Sequence, residues 1–146
     1  MNWIDNYVEG LIELYNTRDV YDLYDCLEID IVKLDKNNIL LLDSEAFYNR
    51  NYLGIETVFI RNNLSTRYER FILAHELGHA VIHTYMPYAS FNRKLINKGK
   101  IEKQANYFAL KLLNINLKDE CYRNLTINQI SSMLELPIKV INDFKI

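Results

Sequence analysis

The segment at residues 71–82 constrains the fold most, because its spacing predicts a helix that is apolar on nearly every side. Phe71 and Ile82 share one face with His75 and His79, while leucine and valine side chains cover the other face. Such a helix must be enclosed by other elements. Two imidazoles inside it are costly to bury unless a shared partner satisfies them.

The same segment contains the pattern His-x-x-x-His, with Glu76 directly after the first histidine. Residues four apart on a helix are rotated by about 40° and separated by about 6 Å, so His75 and His79 can reach one metal ion. Glu76 is the next residue after His75 on the helix. From there its carboxylate can reach a water molecule bound to Zn²⁺ and act as a general base. His83 lies one turn further on and would point past the ion, so we expect it to support the site.

A catalytic zinc site commonly has three protein ligands, so one more ligand is needed. The extended pattern with a third histidine is absent, because Tyr85 occupies its last position. Glu102 is the other candidate, since it falls inside the apolar arc of a helix predicted at residues 101–113. Ala105 and Ala109 on that arc would let the two helices approach closely. The alternative is that the helix dipole alone favours an acid there.

Length and composition predict one globular domain, because the chain has 146 residues, 49% hydrophobic and 25% charged. We expect N-terminal helices at residues 1–28, a sheet at 29–61, the metal-site helices at 65–113 and C-terminal helices at 125–146. Within this plan we expect strands at residues 29–34, 39–42 and 57–60, and a lysine-rich loop at residues 90–100. The strand at residues 57–60 is a candidate edge strand for pairing with a substrate backbone.

Helix starts can be located from capping residues. Ser65 or Thr66 can cap the helix that carries the histidines. Thr126 with Gln129 forms a capping-box pattern, and Pro137 can open a last helix.

Charge and composition argue against nucleic acid, a membrane and secretion. Seventeen basic and 19 acidic residues give a net charge of -2, so no general field attracts phosphate. The first ten residues contain no Lys or Arg, and no apolar run reaches the length of a membrane span. We therefore expect a cytoplasmic protein, in which Cys26 and Cys121 are free thiols.

The sequence around the candidate ligands follows a recognisable pattern. Residues 70–79 are RFILAHELGH, and residues 102–109 are EKQANYFA, with a pair of leucines following at residues 112–113. These stretches resemble the ImmA/IrrE family of metallo-endopeptidases. The resemblance covers residues 57–113, and residues 126–144 are similar to the C-terminal helices of the family. The proline that often follows the paired leucines in that family is absent.

The resemblance implies a fold, a site and a substrate. The fold is α+β, a compact zincin-like metallopeptidase core with a small, mostly antiparallel sheet and a helical majority. Zinc is bound by His75, His79 and Glu102, and Glu76 is catalytic. The partner is a protein, an XRE-type helix-turn-helix repressor encoded nearby, whose cleavage derepresses phage, mobile-element or stress genes.

Two other functions stay open at this point. One is a binding protein that sequesters a repressor without cutting it, or acts in a toxin-antitoxin-like pair. The other is a helix-turn-helix DNA reader at residues 125–144. Charge argues against the second, because Lys139 and Lys145 are balanced there by Glu135 and Asp143.

Overall fold

Helices dominate the structure, a computed structural model that describes residues 1–84 and 98–145. The helices in these ranges are α1 (Asn2–Tyr15), α2 (Val20–Cys26), α3 (Thr66–Ile82), α4 (Lys98–Leu112), α5 (Ile127–Leu134) and α6 (Ile138–Phe144). The strands are β1 (Ile29–Leu34), β2 (Ala46–Arg50) and β3 (Glu56–Arg61), with 3-10 turns at Ile39–Leu41 and Glu120–Tyr122. This combination confirms the α+β class and the helical majority.

The three strands form one mixed sheet with β3 in the middle. β1 pairs with β3 in parallel, and β2 pairs with β3 in antiparallel orientation. The sheet therefore differs from the mostly antiparallel sheet expected from the family. The edge position expected for residues 57–60 is wrong, because β3 is paired on both sides. Strand order depends on pairing between distant segments, which the composition of one strand does not report.

The strand expected at residues 39–42 is also wrong. The Asn38 side chain accepts a hydrogen bond from the backbone N–H of Leu40 at 3.0 Å and fixes a 3-10 turn. Only Leu41 is buried there, and Ile39 is 82% exposed. The strand lies later, at β2, where Phe47 stacks on Phe59 of β3 with ring centroids 4.9 Å apart.

The predicted helix starts agree with the structure. Ser65 Oγ accepts a hydrogen bond from the backbone N–H of Tyr68 at 3.3 Å and caps α3. Thr126 and Gln129 form the predicted capping box at the start of α5, and α6 follows Pro137. Residues 90–97 of the expected loop lie outside the described residues, and residues 98–100 form the first turn of α4.

α3 runs through the core, where it packs against α4 on one side and against β2 and α2 on others. It approaches α4 closely at Gly78. A methyl group placed on Gly78 would lie 3.2 Å from Cδ1 of Phe108 and 3.3 Å from Cα of Ala105. Ala105 and Ala109 are fully buried, which agrees with their predicted role in a close helix crossing.

Two further observations concern the cysteines and the length of the helices. Cys26 and Cys121 are exposed free thiols, as expected. Among the helices that the structure describes, none combines the length and the hydrophobicity needed to cross a membrane.

Candidate metal centre

The side chains of His75, His79 and Glu102 converge where α3 crosses α4. The two histidine Nε2 atoms lie 3.1 Å apart. Glu102 Oε2 lies 3.3 Å from Nε2 of His75, and Oε1 lies 3.4 Å from Nε2 of His79. The structure therefore brings together the three side chains that the sequence analysis named as ligands, and one ligand atom from each lies within 4.8 Å of the others.

These separations fit a small tetrahedral ion. Bonds of about 2.0–2.1 Å in tetrahedral geometry separate neighbouring ligand atoms by about 3.3 Å. The two Nε2 atoms are 3.1 Å apart, close to that value, and each lies 3.3–3.4 Å from a different oxygen of the Glu102 carboxylate. Two imidazoles and one carboxylate can therefore hold one metal ion without large rearrangement.

The electrostatics of the cluster favour positive charge between its members. Burial raises the pKa of Glu102, but hydrogen bonds and charge interactions with both histidines outweigh burial and hold the pKa well below its usual range. Burial lowers the pKa of His75, whereas its bond to Glu102 and the charges of Glu76 and Glu102 raise it, with a net increase. The Glu102 carboxylate is therefore ionised at neutral pH and offers a negative charge beside the two imidazoles.

Glu76 is buried beside this cluster but is not one of the three converging side chains. It is 8% exposed. Its charge contributes to raising the pKa of two groups, His75 in α3 and Tyr24 in α2. Tyr24 is itself buried, and its hydroxyl donates to the backbone oxygen of Leu73 at 2.6 Å.

The outer nitrogens of the two converging histidines also have partners. His75 Nδ1 lies 2.7 Å from Oδ1 of Asn106, and His79 Nδ1 lies 3.0 Å from Nδ1 of His83. His83 Nε2 in turn lies 3.0 Å from Oε1 of Gln104. Burial lowers the pKa of His83 despite its bond to Gln104, and the nearby histidines lower it further.

His83 was predicted from the sequence to support the site, whereas Gln104 and Asn106 were not predicted. Asn106 follows Glu102 by four residues and so shares its side of α4, a spacing that could have identified it. Gln104 lies about 160° from Asn106 round the helix, on nearly the opposite side of α4. From its sequence position it cannot be distinguished from an ordinary half-exposed polar residue.

A comparison with protein families identifies the kind of protein that contains this cluster. The sequence model of Peptidase_M78, the IrrE N-terminal-like domain, matches residues 25–119. The chain belongs to the ImmA/IrrE metallopeptidase family. The resemblance seen in the sequence is therefore confirmed, and a metallopeptidase requires a metal ion that the three converging side chains could hold.

The metallopeptidase is similar to proteins of Bacillus and of a Bacillus phage. It is 28% identical over 137 residues to "Uncharacterized immunity region protein 2" of Bacillus phage phi105, covering 91% of this chain and 83% of that protein. It is 33% identical over 113 residues to "Metallopeptidase ImmA" of Bacillus subtilis (strain 168), covering 75% of this chain. The aligned part spans 62% of the length of that ImmA. No solved structure matches the metallopeptidase significantly.

Proposed function

We propose that the chain is a zinc-dependent endopeptidase whose ion is held by His75, His79 and Glu102. The convergence of two imidazole nitrogens, 3.1 Å apart, on the Glu102 carboxylate carries this proposal; its two oxygens lie 3.3 and 3.4 Å from those nitrogens. Two imidazole nitrogens and one carboxylate oxygen are a ligand set typical of catalytic zinc. When bound, zinc supplies a Lewis acid that polarises the scissile carbonyl and acidifies water.

Glu76 is the proposed general base. Its carboxylate takes a proton from the attacking water and passes that proton to the leaving amine. Its position directly after His75 in α3 supports this role, and its burial, at 8% exposed, keeps bulk water from competing for the proton. A glutamine at this position would keep the shape of the side chain and lose the proton acceptor.

The outer edge of β2 is the proposed binding site for an extended substrate. β2 is an edge strand of the described sheet. Its last residue, Arg50, donates from Nη1 to the backbone oxygen of Thr84 at 3.5 Å, which places the end of β2 beside the end of α3. This is the same end of α3 at which the metal cluster lies. The edge strand near the site is therefore β2 and not residues 57–60.

The pairing of β2 with β3 determines which backbone groups of β2 face outward. Two hydrogen bonds bracket the pair, from Arg61 N to Glu45 O at 2.9 Å and from Asn51 N to Ile55 O at 3.0 Å. Because inward and outward pairs alternate along an antiparallel ladder, the even-numbered residues of β2 direct their N–H and C=O groups away from β3. Those residues are Ala46, Tyr48 and Arg50. A substrate strand would pair with these groups.

The proposed substrate is an XRE-type helix-turn-helix repressor in the cytoplasm, whose cleavage would derepress phage, mobile-element or stress genes. Two observations support a regulatory protein substrate. The sequence resembles a family whose members commonly cleave such repressors. The similar protein from phage phi105 is also named for an immunity region.

The test is mass spectrometry of the repressor encoded nearest the gene, after incubation with zinc-loaded wild type, Glu76→Gln and Glu69→Gln. Glu69 is a matched control, since it is a second buried glutamate of α3 and forms an ion pair with Lys33 at 3.0 Å, away from the cluster. We expect one discrete cut by wild type and by Glu69→Gln, and none by Glu76→Gln. Full cleavage by Glu76→Gln would refute its role. An intact repressor held in a stable complex by all three would indicate sequestration.

A further inference from the structure

α4 contributes two amide side chains that contact the metal centre only through histidine rings. Asn106 Oδ1 lies 2.7 Å from the outer nitrogen of His75. Gln104 Oε1 lies 3.0 Å from Nε2 of His83, whose Nδ1 lies 3.0 Å from the outer nitrogen of His79. His83 is 2% exposed, so this chain of contacts is shielded from water. Each proposed histidine ligand is therefore connected to one amide of α4, either directly or through a third ring.

The chemistry of these groups sets the direction of every hydrogen bond. A neutral imidazole has one donor nitrogen and one acceptor nitrogen, and an amide oxygen only accepts. Gln104 Oε1 therefore accepts from Nε2 of His83, which leaves Nδ1 of His83 as an acceptor. His79 must then donate from Nδ1, and the neutral ring carries no proton on Nε2, the nitrogen that can donate to Glu102 only when the ring is protonated. Asn106 Oδ1 fixes the same tautomer in His75.

The opposite direction of these hydrogen bonds would prevent metal binding through Nε2 of His79. If the amide nitrogen of Gln104 faced His83, then His83 would accept at Nε2 and donate from Nδ1. His79 would then accept at Nδ1 and carry its proton on Nε2, where no lone pair remains for an ion. The side-chain orientation of Gln104 therefore favours one tautomer of His79 over the other.

We propose that Gln104, acting through His83, and Asn106, acting directly, are positioning residues that hold His79 and His75 in the tautomer with an unprotonated Nε2. This inference rests on the proposed function, because it assigns a purpose to that tautomer. α4 thereby contributes one proposed ligand, Glu102, and both amides that prepare the other two ligands.

The first test measures zinc affinity by competition with a chromogenic chelator. Removal of a residue that orients a histidine ligand typically weakens metal binding about 10–100-fold. We expect a loss of that size in Asn106→Ala and in Gln104→Ala. Asn106→Asp and Gln104→Glu retain an acceptor oxygen and should restore affinity to near that of wild type. Lys103→Ala, at the exposed position of α4 directly before Gln104, is the matched control and should bind zinc as wild type does.

The second test reads the tautomers directly, by long-range ¹⁵N–¹H NMR of the histidine rings in zinc-free wild type at alkaline pH. We expect the proton of His79 on Nδ1 and the proton of His83 on Nε2, and a mixture at His79 in Gln104→Ala. A purely structural role for Gln104 would leave the tautomer of His79 unchanged. This measurement on wild type decides the inference even if an alanine variant fails to fold.

The two proposals fail in different ways. Wild type that binds zinc, together with alanine variants that bind it equally tightly, would overturn the positioning role and leave the peptidase proposal intact. Wild type that binds no zinc would overturn the proposed function, and the tautomers would still decide the direction of the hydrogen-bond chain. A proton on Nε2 of His79 in wild type would overturn the inference by itself.

Discussion

Gly78→Ala tests whether the close crossing of α3 and α4 positions the proposed metal ligands. The added methyl group would lie 3.2 Å from Cδ1 of Phe108 and 3.3 Å from Cα of Ala105. Favourable carbon–carbon contacts are about 3.5–4.0 Å, so the helices must separate by about 0.3–0.7 Å. Phe108 is fully buried and the second contact is to backbone, so neither neighbour can move aside freely.

Two opposing terms set the change in the free energy of unfolding. Overpacking a core typically costs about 1–3 kcal/mol, whereas alanine is more favourable than glycine inside a helix by about 0.8–1.0 kcal/mol. The net loss should therefore be about 0–2 kcal/mol. Metal bonds tolerate only about 0.2 Å of displacement, and Glu102 lies on the helix that moves. We therefore expect zinc affinity to fall about tenfold or more, the scale seen when ligand geometry is perturbed.

The assay combines urea denaturation of the zinc-free protein with chelator competition for zinc. Gly10→Ala is the control, because α1 leaves open space within 4 Å of the added methyl group. It should stabilise the protein by about 0.5–1 kcal/mol and leave zinc affinity unchanged. Zinc binding by Gly78→Ala as tight as that of wild type would refute the argument that this crossing positions Glu102.

Three further outcomes can be predicted from linkage and capping. Burial raises the pKa of Tyr24 well above 10. The contribution of Tyr24 to the free energy of unfolding is therefore complete below pH 10. Above pH 10 it falls by about 1.4 kcal/mol per pH unit, because only the unfolded chain releases the proton. Urea titrations from pH 9 to 11 should show a shallower decline in Tyr24→Phe. Thr126→Ala removes the capping box of α5 and should lower the free energy of unfolding by about 0.5–2 kcal/mol in urea, without changing zinc affinity. Zinc at 100 times its Kd should raise the free energy of unfolding of wild type by about 2.7 kcal/mol, an increment that thermal or urea melts should not show for His79→Ala.

Local signals in the sequence predicted most of the helical framework. Ser65 and Thr126 act on backbone groups within three residues, so their caps can be recognised without knowledge of the rest of the fold. The spacing of His75 and His79 follows from helix geometry alone. Glu102 stood out because an acid inside an apolar arc needs a partner, and the structure places it 3.3 Å from Nε2 of His75.

The sheet and the outer contacts of the site depend on pairing between distant segments. Asn38 caps a 3-10 turn even though residues 39–42 are apolar. The strand β2 lies further along the sequence, where Phe47 stacks on Phe59 of β3. The central position of β3 follows from two partner strands that no single segment specifies. Gln104 contacts His83 only because α4 crosses the end of α3, so its own sequence neighbourhood carries no signal of that contact.

The most direct test of the central claim is a crystal structure of the zinc-loaded wild type, with anomalous scattering measured at the zinc absorption edge. The account predicts one strong peak about 2.0–2.2 Å from Nε2 of His75, from Nε2 of His79 and from a carboxylate oxygen of Glu102. A zinc peak bound elsewhere, with these three side chains left without an ion, would contradict it.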